Sequence, residues 1–382
     1  MLLSPIKLLV IRNSLFFLAA GISFPYLPIL LEGAGLTPSQ IGLAFTVSNL
    51  ASATFSYYVG RLSDRVGRLK IVISTTILAS LSYMLLSTRL EPVTTVISLV
   101  LLITSGGVAG TTFMAYSIDI LEREGVSHGA GFGRVSVGGN SGWLAGTLVG
   151  GVLVESLGLS SAFMLASLSA GASILACVWL GEVRRINANG NTNAPIRVLL
   201  RGQPALLLLI VILVMLVDTS IMNFLPLHLS NSYGAAPLII SGAFAVMAMS
   251  DIPAMFYLGK LSDRVGRGVI LLLCLALWPP RLALITLSPS LEILILTQVL
   301  SSFTFGGFFV VSIAYASELV PEELRGAYMG LYNATFSIGG IIGGYLWGSV
   351  AEATTYGDMF LHAALFSVIP AALAVLTVRR RA

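Results

Sequence analysis

Apolar residues run for about twenty positions at a time along this chain, and short polar turns break the runs. Uncharged runs of that length mark membrane spans, because a helix needs roughly 20 residues to cross the hydrocarbon. The pattern predicts twelve spans, at about 8–31, 38–59, 70–88, 93–118, 133–154, 160–181, 204–229, 238–258, 269–288, 291–316, 328–350 and 359–378. Only one connection is long. It covers 182–203, with Asn187-Ala188-Asn189-Gly190-Asn191-Thr192-Asn193 at its centre, and Asn and Gly favour turns over helix. The expectation is an all-α integral membrane protein of two six-helix halves, 1–181 and 204–382, tethered by a cytoplasmic linker at 182–203, with no soluble domain.

The halves repeat one another. Gly60-Arg61-Leu62-Ser63-Asp64-Arg65-Val66-Gly67-Arg68 returns as Gly259-Lys260-Leu261-Ser262-Asp263-Arg264-Val265-Gly266-Arg267. At the same spacing Thr37-Pro38 with Phe45 returns as Ala236-Pro237 with Phe244, and with a one-residue shift Tyr26-Leu27-Pro28 returns as Phe224-Leu225-Pro226. A parallel internal repeat in an apolar chain suggests two similarly folded half-bundles with a pathway between them, which is a transporter signature. Glycines gather in span 5 (Gly138, Gly139, Gly142, Gly146, Gly150, Gly151) and span 11 (Gly330, Gly339, Gly340, Gly343, Gly344, Gly348). Spacings of three and four put most of each set on one helix face. Tight static packing and a smooth seam between moving helices both account for them.

Composition supports this picture, with 56% apolar and 10% charged residues. The net charge of +4 is explained by placement. With both termini inside, cytoplasmic segments hold Lys7, Arg12, Arg61, Arg65, Arg68, Lys70, Arg123, Arg134, Arg184, Arg185, Arg197, Arg201, Lys260, Arg264, Arg267, Arg325 and Arg379 to Arg381, against Arg89 outside. That is the positive-inside bias, so the basic balance implies no nucleic acid. Lys7 and Arg12 before an apolar run imitate a secretory signal, but the run continues to Leu31, as in an uncleaved first span. Cys177 and Cys274 sit in different halves as small core residues. With three histidines, no HExxH, no GxxxxGK[ST] loop and no cysteine cluster, we expect no enzyme, no metal, no cofactor and no ATP-driven pump.

Three ionisable side chains fall inside spans: Asp218 in span 7, Asp251 in span 8 and Arg281 in span 9. At ~1.5 Å rise per residue, Asp251 lies roughly 12 Å from Gly259, Arg281 roughly 18 Å from Val269 and Asp218 roughly 21 Å from Pro204. Charges at such depth are costly unless paired or wet, and they mark substrate or proton paths by default. A structural Asp251–Arg281 pair is the plainer alternative. His228 ends span 7 and reads as interfacial.

The doubled Gly-x-x-x-Asp-Arg-x-Gly-Arg loop resembles the signature of the major facilitator superfamily, over the whole chain. The resemblance implies twelve helices in the major facilitator fold and a cytoplasmic gate. Gly60, Asp64, Arg65, Gly67, Arg68, Asp119 and Arg134 would serve it in the first half, and Gly259, Asp263, Arg264, Gly266, Arg267 and Glu318 in the second. Asp64 would approach the start of span 11, Arg65 or Arg68 would meet Asp119, and Asp263, Arg264 and Glu318 would repeat that arrangement. Phe132-Gly133-Arg134 and Gly139-Asn140-Ser141-Gly142-Trp143, with Asp251-Ile252-Pro253 and Arg281, resemble the lactose permease and phenylpropionate permease branch. There an acid in span 8 and an Arg in span 9 belong to proton coupling, and Trp143 matches a sugar-stacking aromatic. Ser136, Ser301 and Thr304 depart from that branch at its sugar-binding Arg and its span-10 His and Glu, which tells against a galactoside. The multidrug antiporter branch fits less well, since Ile103 and Thr104 stand where its span-4 Arg belongs and Thr147 stands where it has Pro.

The expected function is secondary active transport of a small organic solute by alternating access, coupled to H+ through Asp218, Asp251 and Arg281. A carboxylate that loses and regains an Arg neighbour during rocking binds and releases one proton per cycle. Asn13, Asn49, Tyr57, Thr111, Thr112, Tyr116, Asn140 and Trp143 are candidate cavity residues, and their neutrality suggests a neutral or weakly charged solute. An uncoupled facilitator, a drug or solute efflux antiporter, and sodium in place of protons are open alternatives. A non-transporting receptor is a remote one. We expect a monomer in the plasma membrane, with the lipid bilayer and the solute as its partners.

Overall fold

The computed structural model describes residues 4–88, 91–182 and 199–379. The linker centre, Arg89, Arg184, Arg185, Arg197, Arg380 and Arg381 lie outside the described residues. The described chain is helical from end to end, without strands. In order the helices are α1 (Pro5–Ser23), α2 (Leu27–Gly33), α3 (Pro38–Val66), α4 (Arg68–Leu86), α5 (Pro92–Arg123), α6 (His128–Leu157), α7 (Leu159–Leu180), α8 (Gly202–Tyr233), α9 (Pro237–Val265), α10 (Arg267–Ala276), α11 (Trp278–Leu287), α12 (Leu291–Thr297), α13 (Phe308–Glu318), α14 (Glu322–Ala353) and α15 (Tyr356–Arg379).

Three expected spans are not single α-helices. Span 1 is α1 and α2 joined by a 3-10 turn at Phe24–Tyr26, because Pro25 and Pro28 each remove a backbone donor. Span 9 breaks at Leu277, where Pro279 and Pro280 open α11. Span 10 passes from α12 through a 3-10 turn and a π-helical turn, Ser302–Gly307, into α13. Ten helical segments among the described residues are long and apolar enough to cross a membrane. Helices α3 and α14, with 29 and 32 residues, fill spans 2 and 11 but carry Ser, Thr, Asn, Tyr and Gly along their length.

The described residues form two compact units. One draws on Met1–Leu36, Val47–Asn189 and Ala236–Gly242, the other on Thr37–Thr46, Gly190–Ala235 and Ala243–Ala382. In the first, α1 packs along α6 and α7, and α4 along α5 and α7. In the second, α8 packs along α14 and α15, while α10 packs along α13 and α15. The same pairings recur, so the sequence repeat is also a structural one. Leu9, Val72, Phe113, Tyr116, Ile120 and Cys177 lie in the core of the first unit.

The repeated charged strings are helix junctions. Gly67 alone separates α3 from α4, and Gly266 alone separates α9 from α10, with φ of +112° and +107°. Residues with a Cβ rarely hold such angles. A one-residue reversal between two long helices therefore requires glycine at both points.

Candidate transport site

At the first junction the Arg68 guanidinium donates to Asp119 at 2.8 Å, to the Ala115 carbonyl at 2.8 Å and to Asp64 at 3.1 Å. At the second, Arg267 pairs with Asp263 at 3.1 Å and with Glu318 at 3.0 Å. The second-half base is therefore Arg267, where Arg264 was expected. Arg65 and Arg264 end their helices on exposed faces. The glycine reversal instead turns the next Arg back over the acid four residues earlier and onto the helix that follows in the bundle. Glu182, not foreseen, accepts from the Leu69 amide at 3.3 Å, and a Cβ on Gly67 would lie 2.9 Å from its carboxylate. Ser63 and Ser262 donate to the Gly60 and Gly259 carbonyls at 2.6 and 2.7 Å. Arg134 is exposed beside Lys7 along one surface recess.

Within the first unit a cavity of about 250 Å³ opens among α1, α5 and α6. Asn13 and Asn140 line it with Phe17, Phe113, Phe132 and Ser136, and the Asn13 amide donates to the Val135 carbonyl at 2.9 Å. The other candidates are placed elsewhere. Tyr116 is fully buried in the core and donates to the Gly181 carbonyl, because it falls on the face of α5 away from Gly110 and Met114, which line the cavity. Thr112 shares that buried face. Thr111 is exposed and bonds back to Gly107. Trp143 is half-buried with its ring 5.4 Å from Phe24, a packing contact. Tyr57 is exposed, takes a hydrogen bond from Arg61 at 3.2 Å and lies beside Tyr58. Asn49 is half-buried.

Arg12 is a correction. Expected as a surface base, it is fully buried in the first unit. Its guanidinium carbon lies 4.5 Å from the Phe16 ring centre and 4.0 Å from that of Phe113. Nη2 donates to Thr76 at 3.2 Å, while Nε and Nη1 have no hydrogen-bond partner. Its depth inside span 1, about 10 Å from Pro5, was the signal that the sequence offered.

The second unit gathers the intramembrane charges. Arg281 is fully buried, Asp218 is buried and Asp251 partly so. The Arg281 guanidinium donates to the Thr304 hydroxyl at 2.7 Å, to the Gln298 amide oxygen at 3.4 Å and to the Met247 sulfur at 3.2 Å. Asp218 and Asp251 are the acids whose charges act on it, yet no direct ion pair joins them among the described residues. One oxygen of each carboxylate, Oδ1, and Nε of Arg281 have no hydrogen-bond partner. The three expected coupling residues are thus brought to one place. Gln298 was missed as a neutral member and Thr304 was marked only as a departure from the permease pattern, since a hydroxyl or an amide in an apolar run carries no charge to mark it.

The profile of the family described as "MFS_1 like family" matches residues 9–361. An uncharacterized MFS-type transporter, YuxJ, of Bacillus subtilis (strain 168) is 26% identical over 369 residues, covering 90% of this chain and 91% of that protein. The multidrug resistance protein MdtG of Enterobacter lignolyticus (strain SCF1) is 31% identical over 277 residues, covering 68% of this chain and 64% of its own length. The crystal structure of the nucleoside transporter NupG superposes with a TM-score of 0.83 at 14% identity, over 98% of this chain and all of that one (100%).

Proposed function

Because the chain belongs to the MFS_1 like family of major facilitator transporters, we propose that it is a secondary active transporter of a small organic solute, coupled to protons. The observation that carries this reading is the buried group in the second unit. Two carboxylates and one guanidinium lie within electrostatic reach, none directly paired, each with an unused polar atom. Buried charges left in that state are costly. A carboxylate there is neutral when protonated and ionised when a guanidinium closes on it, which is what a coupling site needs. In this reading, residues 1–181 and 204–382 are the rocking halves and 182–203 is their tether. The charged junctions face the cytoplasm, the protein resides in the plasma membrane and it works as a monomer. The cavity bearing Asn13 and Asn140 takes part of the solute.

The MdtG relatives support a second reading, an efflux antiporter with the same proton site. The likeness to the lactose permease and phenylpropionate permease branch rests on the motifs of spans 5, 8 and 9 alone.

The test is a solute screen in proteoliposomes with and without an imposed pH gradient, followed by Asp251→Asn with Arg281→Gln. Removing both charges together avoids stranding one of them, so the double variant should fold better than either single change. It should exchange solute across the membrane yet fail to concentrate it under a pH gradient. Asp218→Asn, run alongside, tells which acid carries the proton. Normal accumulation by the double variant would overturn the assignment to Asp251 and Arg281.

A further inference from the structure

Arg281 is not where its charge alone would put it. Asp218 on α8 and Asp251 on α9 are the charged groups that act on it, and each has a free Oδ1. Its other contacts are neutral: Thr304, Gln298, the Met247 sulfur and the Trp278 ring, whose centre is 5.5 Å away. The shortest of these is the 2.7 Å bond to Thr304. That hydroxyl is itself fixed, because it donates to the Leu300 carbonyl at 3.0 Å. A hydroxyl so committed holds the guanidinium by one good hydrogen bond, of the stronger kind in which one partner is charged.

Thr304 stands in the π-helical turn Ser302–Gly307. The same turn presents Gly306 to Asp251, so closely that a Cβ on Gly306 would lie 3.1 Å from Asp251 Oδ1 and 3.3 Å from its Cα. One short segment therefore touches both the base and an acid. A π turn holds one residue more than the α-helix around it, and such turns are uncommon and cluster at functional sites. Resuming i→i+4 bonding would rotate one side of the segment against the other by roughly 100°. Thr304 and Gly306 could not then keep both contacts.

We propose that Thr304 is the positioning residue that holds the Arg281 guanidinium off Asp218 and Asp251, and that a change of register in the π turn around it releases the guanidinium to them. The proposal rests on the reading of those two acids as the proton site. With Arg281 on Thr304 a carboxylic acid keeps its proton, and with Arg281 released the ionised form is favoured. The switch needs no new charge, only a hydroxyl that competes with two carboxylates for one guanidinium.

The test needs no transported solute. Dicyclohexylcarbodiimide attacks protonated buried carboxyls, and mass mapping of the purified full-length protein at one fixed pH gives the labelling of Asp218 and Asp251. Thr304→Val removes the hydroxyl, so labelling should fall about tenfold, as for one unit of proton affinity. Thr304→Ser should stay within about twofold of the parent, because it keeps the hydroxyl. In an Arg281→Gln background, Thr304→Val should change nothing. If Thr304→Val does not fold, Thr304→Ala carries the same expectation without added bulk. Parental labelling in the folded Val or Ala variant overturns the proposal, as does an equal fall in the Arg281→Gln background. The outcome is independent of transport. Lowered labelling with normal accumulation by Asp251→Asn/Arg281→Gln would keep Thr304 as the positioning residue and discard proton coupling at that pair.

Discussion

At the residue scale, two fully buried arginines, one in each unit, are held in opposite ways. Arg281 lies near two acids and leans on a hydroxyl. Arg12 has no ion pair among the described residues and rests between the faces of Phe16 and Phe113. Ring faces attract a cation, and more strongly where water is excluded. A buried charge held by rings, one hydroxyl and the neighbouring Cys177 thiol, with no carboxylate against it, leaves part of its desolvation cost unrecovered. Arg12→Met, which fills similar space without charge, should therefore keep the thermal midpoint within the equivalent of about 1 kcal/mol of the parent, or raise it. Phe113→Ala should cost about 3 kcal/mol or more, since it opens a cavity and strips the cation of a ring. Thermal unfolding of the purified variants decides. A large loss in Arg12→Met with a small one in Phe113→Ala would show that the charge, and not its packing, holds this site.

At the element scale the glycines sort by what they meet. Gly138, Gly139, Gly142, Gly146 and Gly150 of α6 lie against α1, while Gly151 meets Ser241 of α9: a Cβ on Gly142 would sit 2.1 Å from the Ser14 carbonyl, and one on Gly146 2.3 Å from that of Leu18. On α14, Gly339 and Gly343 face α8, while Gly344 and Gly348 face the start of α3. There a Cβ on Gly42 would lie 2.1 Å from the Gly344 carbonyl, and one on Gly348 2.5 Å from that of Pro38. Backbone against backbone leaves nothing that can yield, so Gly42→Ala should destabilise by about 1–3 kcal/mol. Gly330→Ala is the control, because nothing lies within 4 Å of its Cβ. It should be neutral or stabilise by up to about 1 kcal/mol through helix propensity. Equal midpoints for the two variants in thermal unfolding would show that the α3–α14 seam opens readily. The spacing of these glycines was legible in the sequence, but the identity of the helix each face meets was not, because a helical face names no partner.

At the scale of the whole molecule the repeat governs distant contacts as well as local ones. Glu352, just past span 11, accepts from the Thr37 hydroxyl at 2.7 Å and from the Ser39 amide and hydroxyl at the start of α3. Glu155, near the end of α6, accepts from the Leu238 amide at 3.0 Å at the start of α9. Both are carboxylates set on helix N-termini, where they are favoured. The bonds from Ser39 and Thr37 hold the Glu352 carboxyl below its usual value of 4.5. A carboxyl so depressed contributes its stability above that value and loses it as pH falls through the lower, folded-state value. Glu352→Gln should therefore unfold at a lower temperature than the parent at neutral pH. The gap should close as the pH drops below about 4. A gap of constant size across a thermal-shift pH series would show that Glu352 acts without its charge.

The chain's own residues determined the membrane class, the helical content, the repeat and the two glycine reversals. Each follows from local chemistry: apolar runs long enough to span, a string that returns, a φ that only glycine holds easily. They also marked Asp218, Asp251 and Arg281, because charge at membrane depth is visible in a sequence. Tertiary structure decided the rest. It chose Arg267 over Arg264 and turned Tyr116 into the core. It buried Arg12 between two rings and set Thr304 against Arg281. Those outcomes depend on which helix packs against which face, and on a hydroxyl or a ring that another helix supplies. The period of a single helix records only that a face is buried, and the neighbour that buries it comes from the fold.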